Sequence, residues 1–292
     1  MKKTLLKIVV SALTVTLLGL FVGCGGGADK SADNNKKDSA VSGSIIAGGS
    51  TALEPLVKKT KEGFEAKHPD AMVDVQGGGS GKGISGVQEG TFQIGNSDVP
   101  AADKVTDESA LKELVETKVC GIGFAMVANK DVKVNSLTVE QIVDIFTGKV
   151  TNWKDVGGDD EAITVIARPT SSGTRATFKK TILGDAEEKK DFQTEESSGA
   201  VSSKVQSTPG AISYLALSYV GDGKDLNVLK INDVEANAEN IANGSYPFWS
   251  YEYMITKGEP TGVTKAFIDY LMSGENKSVI EAEGYIPMSS LK

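Results

Sequence analysis

Hydrophobic and polar positions along this chain switch repeatedly between a period of two and a period near 3.6, and the switches outline its elements. Residues 43–48 open as a short strand (SIIA), after which Leu53, Leu56, Val57 and Phe64 recur at helical spacing. Residues 72–76 alternate as a strand, and residues 77–83 form a glycine-rich loop ahead of Ile84 and Val87. Residues 92–96 predict another strand running into Ser97-Asp98, and residues 119–128 a long apolar one. Residues 137–146 are amphipathic at the helical period, with Thr138 as N-cap and Glu140-Gln141 in the first turn. Then come a strand at 163–167, a loop at 168–173 and a helix at 174–183. Strands at 211–214, 226–229 and 249–256 and a helix at 263–272 complete the pattern. Strand and helix alternate throughout, which predicts an α/β class with largely parallel sheets.

The first residues follow a different pattern. Lys2, Lys3 and Lys7 form a basic start, residues 8–22 are apolar, and Gly23-Cys24 follows. The apolar run falls short of the roughly 20 residues that a membrane span needs, and the layout is that of a secretory signal. A cysteine directly after a small residue resembles a bacterial lipobox, so residues 1–23 are expected to be cleaved. Cys24 is then expected to carry the lipid anchor (palmitate), on the extracytoplasmic face of a cell membrane. Residues 24–43 are polar and low in complexity after the glycines, which predicts a flexible tether.

Composition narrows the function. The net charge is −8, and beyond the three leader lysines the chain carries 28 basic against 39 acidic side chains, a net of −11. That surface argues against nucleic acid and against charge-driven binding to anionic lipid. An anionic ligand would therefore need a local site that attracts it against the overall field. Only Cys120 remains beside Cys24, which excludes an internal disulfide, and one histidine, His68, leaves too few ligands for a Cys/His zinc site. Cys120 reads as a small buried hydrophobe and His68 as a helix-end residue.

Three strand-to-helix junctions share one design: Gly49-Ser50-Thr51-Ala52, Gly79-Ser80-Gly81 and Ser171-Ser172-Gly173-Thr174. A helix N-terminus presents unpaired N–H groups and a partial positive charge, hydroxyls add donors, and glycine lets backbone approach closely. One such junction is ordinary capping. Three, with Arg168 four residues ahead of Ser172, point to an oxyanion site in which Arg168 supplies a planar donor fork. Asp98 is the odd member, because a carboxylate repels an anion unless it accepts a proton from it. Hydrogen phosphate has an O–H to give and sulfate has none, so a buried acceptor separates two ions of nearly equal shape. Taken alone, Asp98 reads equally well as a turn or cap residue.

GGSTALEP, GGGSGKGI, IGNSDVP, LTVEQIVDIFTGKVTNW, RPTSSGTRATF and TPGAISY, in this order, resemble the phosphate-binding proteins of bacterial high-affinity phosphate ABC importers. The similarity runs from Ser44 to the C-terminal GYIPM. The resemblance implies a two-domain, hinged periplasmic-binding-protein fold (type II) with the ligand in the interdomain cleft. It implies inorganic phosphate as ligand, permease subunits of the importer as partners, no cofactor, no metal, no catalysis and a monomeric protein. Carried over by position, Thr51 and the backbone of Ala52 would donate from the first junction, with Ser50 as a neighbour. Ser80 would donate from the second, and Asp98 would accept the ligand proton. Arg168, Ser172, the Gly173 N–H and Thr174 would donate from the third. Some members of the family carry an acid two places after the arginine; here that position is Thr170, which leaves open what orients Arg168. Arg175 either strengthens the local field or pairs with an acid elsewhere. Domain I is expected over residues 44–118 and 247–292 and domain II over 119–246, with crossing segments near 119–128 and 249–256 as the hinge. Trp153 is expected to pack on the surface of domain II.

Rival readings have weaker support. Gly81-Lys82-Gly83-Ile84-Ser85-Gly86 spells G-x-G-x-x-G, a weak dinucleotide signal alone, while Gln76 and Gly83 break the phosphate-loop pattern. No G-x-S-x-G elbow surrounds Ser50, Ser80 or Ser172, which argues against a secreted hydrolase or phosphatase. A binder of sulfate or molybdate on the same scaffold is the main competitor, and Asp98 argues against it. An added role in adhesion or sensing stays open.

The anchor has a direct test. Cys24→Ser should release the protein to the soluble extracytoplasmic fraction or leave it unprocessed; a mature mutant that partitions with membranes as wild type does would refute lipidation.

Overall fold

The structure, a computed structural model, describes residues 41–291 apart from 222 and 223. The leader, Cys24 and all but the end of the tether lie outside the described residues. Eleven strands are present among them: β1 Gly43–Gly49, β2 Ala71–Gln76, β3 Ile94–Ser97, β4 Leu114–Asn129, β5 Ser136–Leu137 and β6 Thr164–Ala167, followed by β7 Gln193–Thr194, β8 Ala211–Ala216, β9 Leu226–Ile231, β10 Trp249–Lys257 and β11 Tyr285–Pro287.

They are ordered β2-β1-β3-β10-β4-β8-β6-β7, with β11 and β9 also on β4 and β5 on β9. The sheet is mixed, which corrects the expectation of largely parallel pairing. β1–β2, β1–β3, β6–β7, β6–β8 and β5–β9 are parallel. Every pair that involves β4 or β10 is antiparallel. The reason lies in β4, a continuous 16-residue strand that changes partners along its length. Leu114–Gly123 pairs with β10 and Ile122–Cys120 with β11; from Phe124 onward the partners are β8 and β9. One strand thus belongs to two sheet regions. Its last eleven residues are all buried, which explains the unbroken apolar run, whereas Leu114–Lys118 alternates and was invisible to a search for such a run.

Local chemistry accounts for the main helices. Thr138 accepts from the Gln141 N–H while the Gln141 side chain accepts from the Thr138 N–H, a reciprocal cap on Val139–Phe146. Gly173–Phe178 begins with Ser172 as N-cap and passes into a wider π turn, Lys179–Leu183, where the expectation was one regular helix. There the Thr181 hydroxyl donates to the Thr177 carbonyl (2.8 Å) and competes with the backbone ladder. The glycine-rich loop is shorter than expected, because the helix Ser80–Gln88 starts inside it. Gly78 and Gly79, at φ +135° and +87°, make the turn that precedes it. Gly83 within that helix has no room for a side chain: a Cβ would lie 2.5 Å from the Asn96 carbonyl oxygen.

The core follows β4 across both regions. Phe64 packs edge-on to Phe267 at one end (5.2 Å), and at the other Phe178 stacks on Tyr214 (4.4 Å), with Phe146 and Phe248 around them. Each such buried aromatic contributes about 1.5–3 kcal/mol relative to an exposed one. Trp153, expected on the surface, is instead fully buried, and its indole N–H donates to the Gly210 carbonyl (3.0 Å). Cys120 is buried and free, and His68 is the C-cap of Glu54–Lys67, its ring against Phe64. No helix among the described residues is long and apolar enough to cross a membrane.

Candidate anion-binding site

The parallel strands β1, β2, β3 and β6 each run directly into one of the expected site segments. β1 leads to Ser50-Thr51-Ala52, β2 through three glycines to Ser80, β3 to Asp98 and β6 to Arg168. Ligand sites of open α/β sheets lie at such carboxyl ends of strands.

Asp98 is the point on which they converge. Its carboxylate is buried and accepts a hydrogen bond from the Ser50 hydroxyl. It also accepts from Ser80 Oγ (3.4 Å) and, through the other oxygen, from Thr174 Oγ1 (2.8 Å). Ser80 Oγ in turn accepts the Asp98 N–H (3.0 Å). Ser50 Oγ takes the N–H groups of Ala52 and Leu53 (3.0 and 3.1 Å), so one hydroxyl ties the first helical turn to the carboxylate. Gly173 fits tightly, since a Cβ there would meet Ser80 Oγ at 2.1 Å and Asp98 at 2.9 Å. The second and third junctions also touch directly, the Gly81 N–H donating to the Ser171 carbonyl (2.9 Å).

Arg168 is the cation of the site and is almost wholly buried. Its Nη2 reaches the Glu196 carbonyl (3.2 Å) and Thr51 Oγ1 (3.5 Å), while Nε and Nη1 meet no acceptor among the described residues. Burial lowers its pKa, yet a guanidinium remains charged at any physiological pH. A buried fork with two unspent donors, opposite a carboxylate ringed by hydroxyls, is built to receive a group that is both anionic and able to donate one proton.

The structure brings all nine expected site residues together: Ser50, Thr51, Ala52, Ser80, Asp98, Arg168, Ser172, Gly173 and Thr174. Ser172 Oγ is occupied as an N-cap by the Arg175 N–H (3.2 Å), and the Ala52 N–H by Ser50. Arg175 pairs with Glu188 through Nε and Nη2 (both 2.7 Å), so its charge is matched by an acid rather than offered to the site. Two participants escaped the sequence reading. Ser198, fully buried, donates its N–H to Thr51 Oγ1 (3.1 Å) with its hydroxyl equally close, and the Glu196 carbonyl orients Arg168. The signal was present: Ser197-Ser198-Gly199 heads the helix Ser198–Ser207 and repeats the design of the other three junctions. Glu196 acts through its backbone, which no side-chain pattern reports; it stands in for the acid that Thr170 does not supply.

A model of the PBP superfamily domain matches residues 34–275. The phosphate-binding protein PstS of Bacillus subtilis (strain 168) is 43% identical over 296 residues, spanning 100% of this chain and 97% of that one. The chain belongs to the PBP superfamily, in the family of PstS phosphate-binding proteins. A PstS from Borreliella burgdorferi is 27% identical over 83% of this chain and 89% of its own. Among solved structures, one with bound phosphate from Clostridium perfringens, of a substrate-binding protein assigned to a phosphate ABC transporter, superposes with a TM-score of 0.78. It is 33% identical and covers 84% of this chain and 100% of that one. An ABC-type phosphate transport receptor from Vibrio cholerae gives 0.66 at 28% identity, covering 83% and 99%. The fold is the mixed α/β, two-domain fold of this family, and its members are solute-binding proteins, not enzymes.

Burial raises the Asp98 pKa above 3.8, outweighing the hydrogen bonds from Ser50 and Thr174 and the charge of Arg168. The folded protein therefore binds a proton more readily than the unfolded chain, and the cost of ionising Asp98 is absent below the ordinary carboxylate range and complete above its folded pKa. Ligand-free protein should lose stability as pH rises out of that range, and Asp98→Asn should flatten this dependence. Thermal melts across pH, in buffers free of oxyanions, read the slope; equal slopes for the two proteins would contradict the assignment.

Proposed function

We propose that this chain captures inorganic phosphate on the extracytoplasmic side of a membrane and delivers it to the permease subunits of an ABC importer. The observation that carries the ligand assignment is the buried Asp98 carboxylate set among hydroxyl donors and opposite the Arg168 fork. Thr51, Ser80, Ser172, Thr174, the N–H groups of Ala52 and Gly173, and the Arg168 fork surround the anion, with Ser50 holding Asp98. The Thr174 hydroxyl, which now donates to Asp98, turns toward a phosphate oxygen. The phosphate O–H then takes an acceptor position on Asp98. The relatives' names and the phosphate-bound neighbour support the same reading.

Domain I takes residues 44–118 and 247–292 and domain II residues 119–246, the donors being split between them. The partner change of β4 at Gly123/Phe124, beside the start of β10, supports a hinge at these two strands. Closure of a monomer on its ligand follows from that split. Lipidation of Cys24 would hold the binding protein beside the permease on a mobile leash.

Two measurements test the site. Competitive titration of phosphate and sulfate against wild type and Asp98→Asn at neutral pH should show rejection of sulfate by wild type and a gain for sulfate in the mutant, because a repulsion becomes an attraction. An unchanged phosphate-to-sulfate ratio would remove Asp98 as discriminator, and wild-type preference for sulfate would remove phosphate as the ligand. Arg168→Ala should cost roughly 1.5–3 kcal/mol, about ten- to a hundredfold in phosphate affinity. A folded Arg168→Ala protein within a factor of about two of wild type would place Arg168 outside the site.

A further inference from the structure

A second carboxyl lies beside Asp98. Glu252 is fully buried in β10, where it pairs with Cys120 of β4, and the register of that ladder slips between Glu252 and Tyr253. On its other side Tyr253 pairs with Ser97, and Ser250 Oγ donates to the Asp98 carbonyl (2.7 Å). β10 is thus laid along the Asp98 segment, and the slip leaves Val119 of β4 as the extra residue while β10 itself runs on regularly. Continued one step past the Tyr253–Ser97 pair, the antiparallel register of β10 on β3 sets Glu252 opposite Asp98 as a cross-strand neighbour.

Neither Glu252 oxygen meets a donor among the described residues. Two ionised carboxylates would face each other out of water with nothing between them, whereas one proton turns the repulsion into a hydrogen bond. The other titratable groups whose fields reach Glu252 are Cys120, Tyr285 on β11 and the adjacent Tyr253, all acids that are neutral near pH 7. The cations nearby, Arg168 and Lys104, act on Asp98. Asp98 is therefore the ionised member of the pair. Burial first, and then the Asp98 charge, hold Glu252 well above the usual carboxylate range.

We propose that Glu252 is a protonated positioning residue that donates to Asp98, so that the pair carries one proton and one negative charge and Asp98 remains the acceptor for the anion's O–H. This rests on the reading of Asp98 given above. The two Asp98 oxygens offer about four acceptor positions, of which the Ser50, Ser80 and Thr174 hydroxyls take three and leave one for the Glu252 proton. When Thr174 turns its hydroxyl to the anion, the anion's O–H takes the position it leaves. A second ionised carboxyl would instead double the charge that opposes the anion.

Infrared spectra of purified, anion-free mature protein at neutral pH should show a protonated-carboxyl C=O band that Glu252→Gln lacks. In phosphate titrations Gln, uncharged and carrying an N–H donor, should keep affinity within about threefold of wild type, while Glu252→Leu loses about tenfold or more. The alkaline decline in affinity that accompanies Glu252 ionisation in wild type should be missing from Glu252→Gln. An unchanged carboxyl band in Glu252→Gln overturns the proposal, as does an equal loss of affinity in the Gln and Leu variants. Should Glu252→Leu fail to fold, the band and the pH profile of Glu252→Gln decide. Because the band is read without anion, failure of wild type to bind phosphate would sink the ligand assignment and not this protonation.

Discussion

A carboxylate withdrawn from water needs donors on every side, and in this molecule the demand is met from remote parts of the chain. Ser50, Ser80 and Thr174 lie 48, 18 and 76 residues from Asp98, yet all three hydroxyls close on its two oxygens. Each stands where a strand gives way to a helix, so satisfying one side chain requires the ends of β1, β2, β3 and β6 to converge. The glycines serve that convergence. Gly83 lets a helix lie on the backbone of β1 and β3, and Gly173 brings the third junction against Ser80 and Asp98 at distances no larger residue could match.

Charge is handled locally rather than globally. The chain is acidic overall, and against that field Arg168 is sealed into the candidate site with donors to spare among the described residues. Arg175, seven residues further on, is matched by Glu188, so Arg168 is left as the unpaired guanidinium of the site. Glu252 extends the same economy to protons, since two carboxyls occupy one buried place and a single negative charge suffices for the chemistry.

β4 carries the mechanical side. By pairing with β10 and β11 along its first part and with β8 and β9 along its second, it makes two sheet regions out of one continuous strand. On the domain division proposed above, residues that meet at the site come from both sides of that partner change.

Periodicity, glycine and hydroxyl clusters made most of the elements and nearly all of the site residues legible in the amino-acid sequence, because strand, helix start and N-cap are local properties of backbone and side chain. The Thr138 cap and the junctions at Ser50, Ser80 and Ser172 are examples, and the ordered motifs indicated the family and its oxyanion. Pairing direction was not legible: nothing within residues 114–129 says which strands lie beside them, and the antiparallel crossing of β4 and β10 arises from contacts 120 or more residues apart. The same holds for the Glu196 carbonyl, which acts without its side chain, and for Glu252, which alternation along β10 describes as an ordinary polar position. Only the folded chain, by laying β10 against β3 and excluding water, makes that glutamate a neighbour of Asp98, since burial and proximity are properties of the assembled sheet and not of any stretch of sequence.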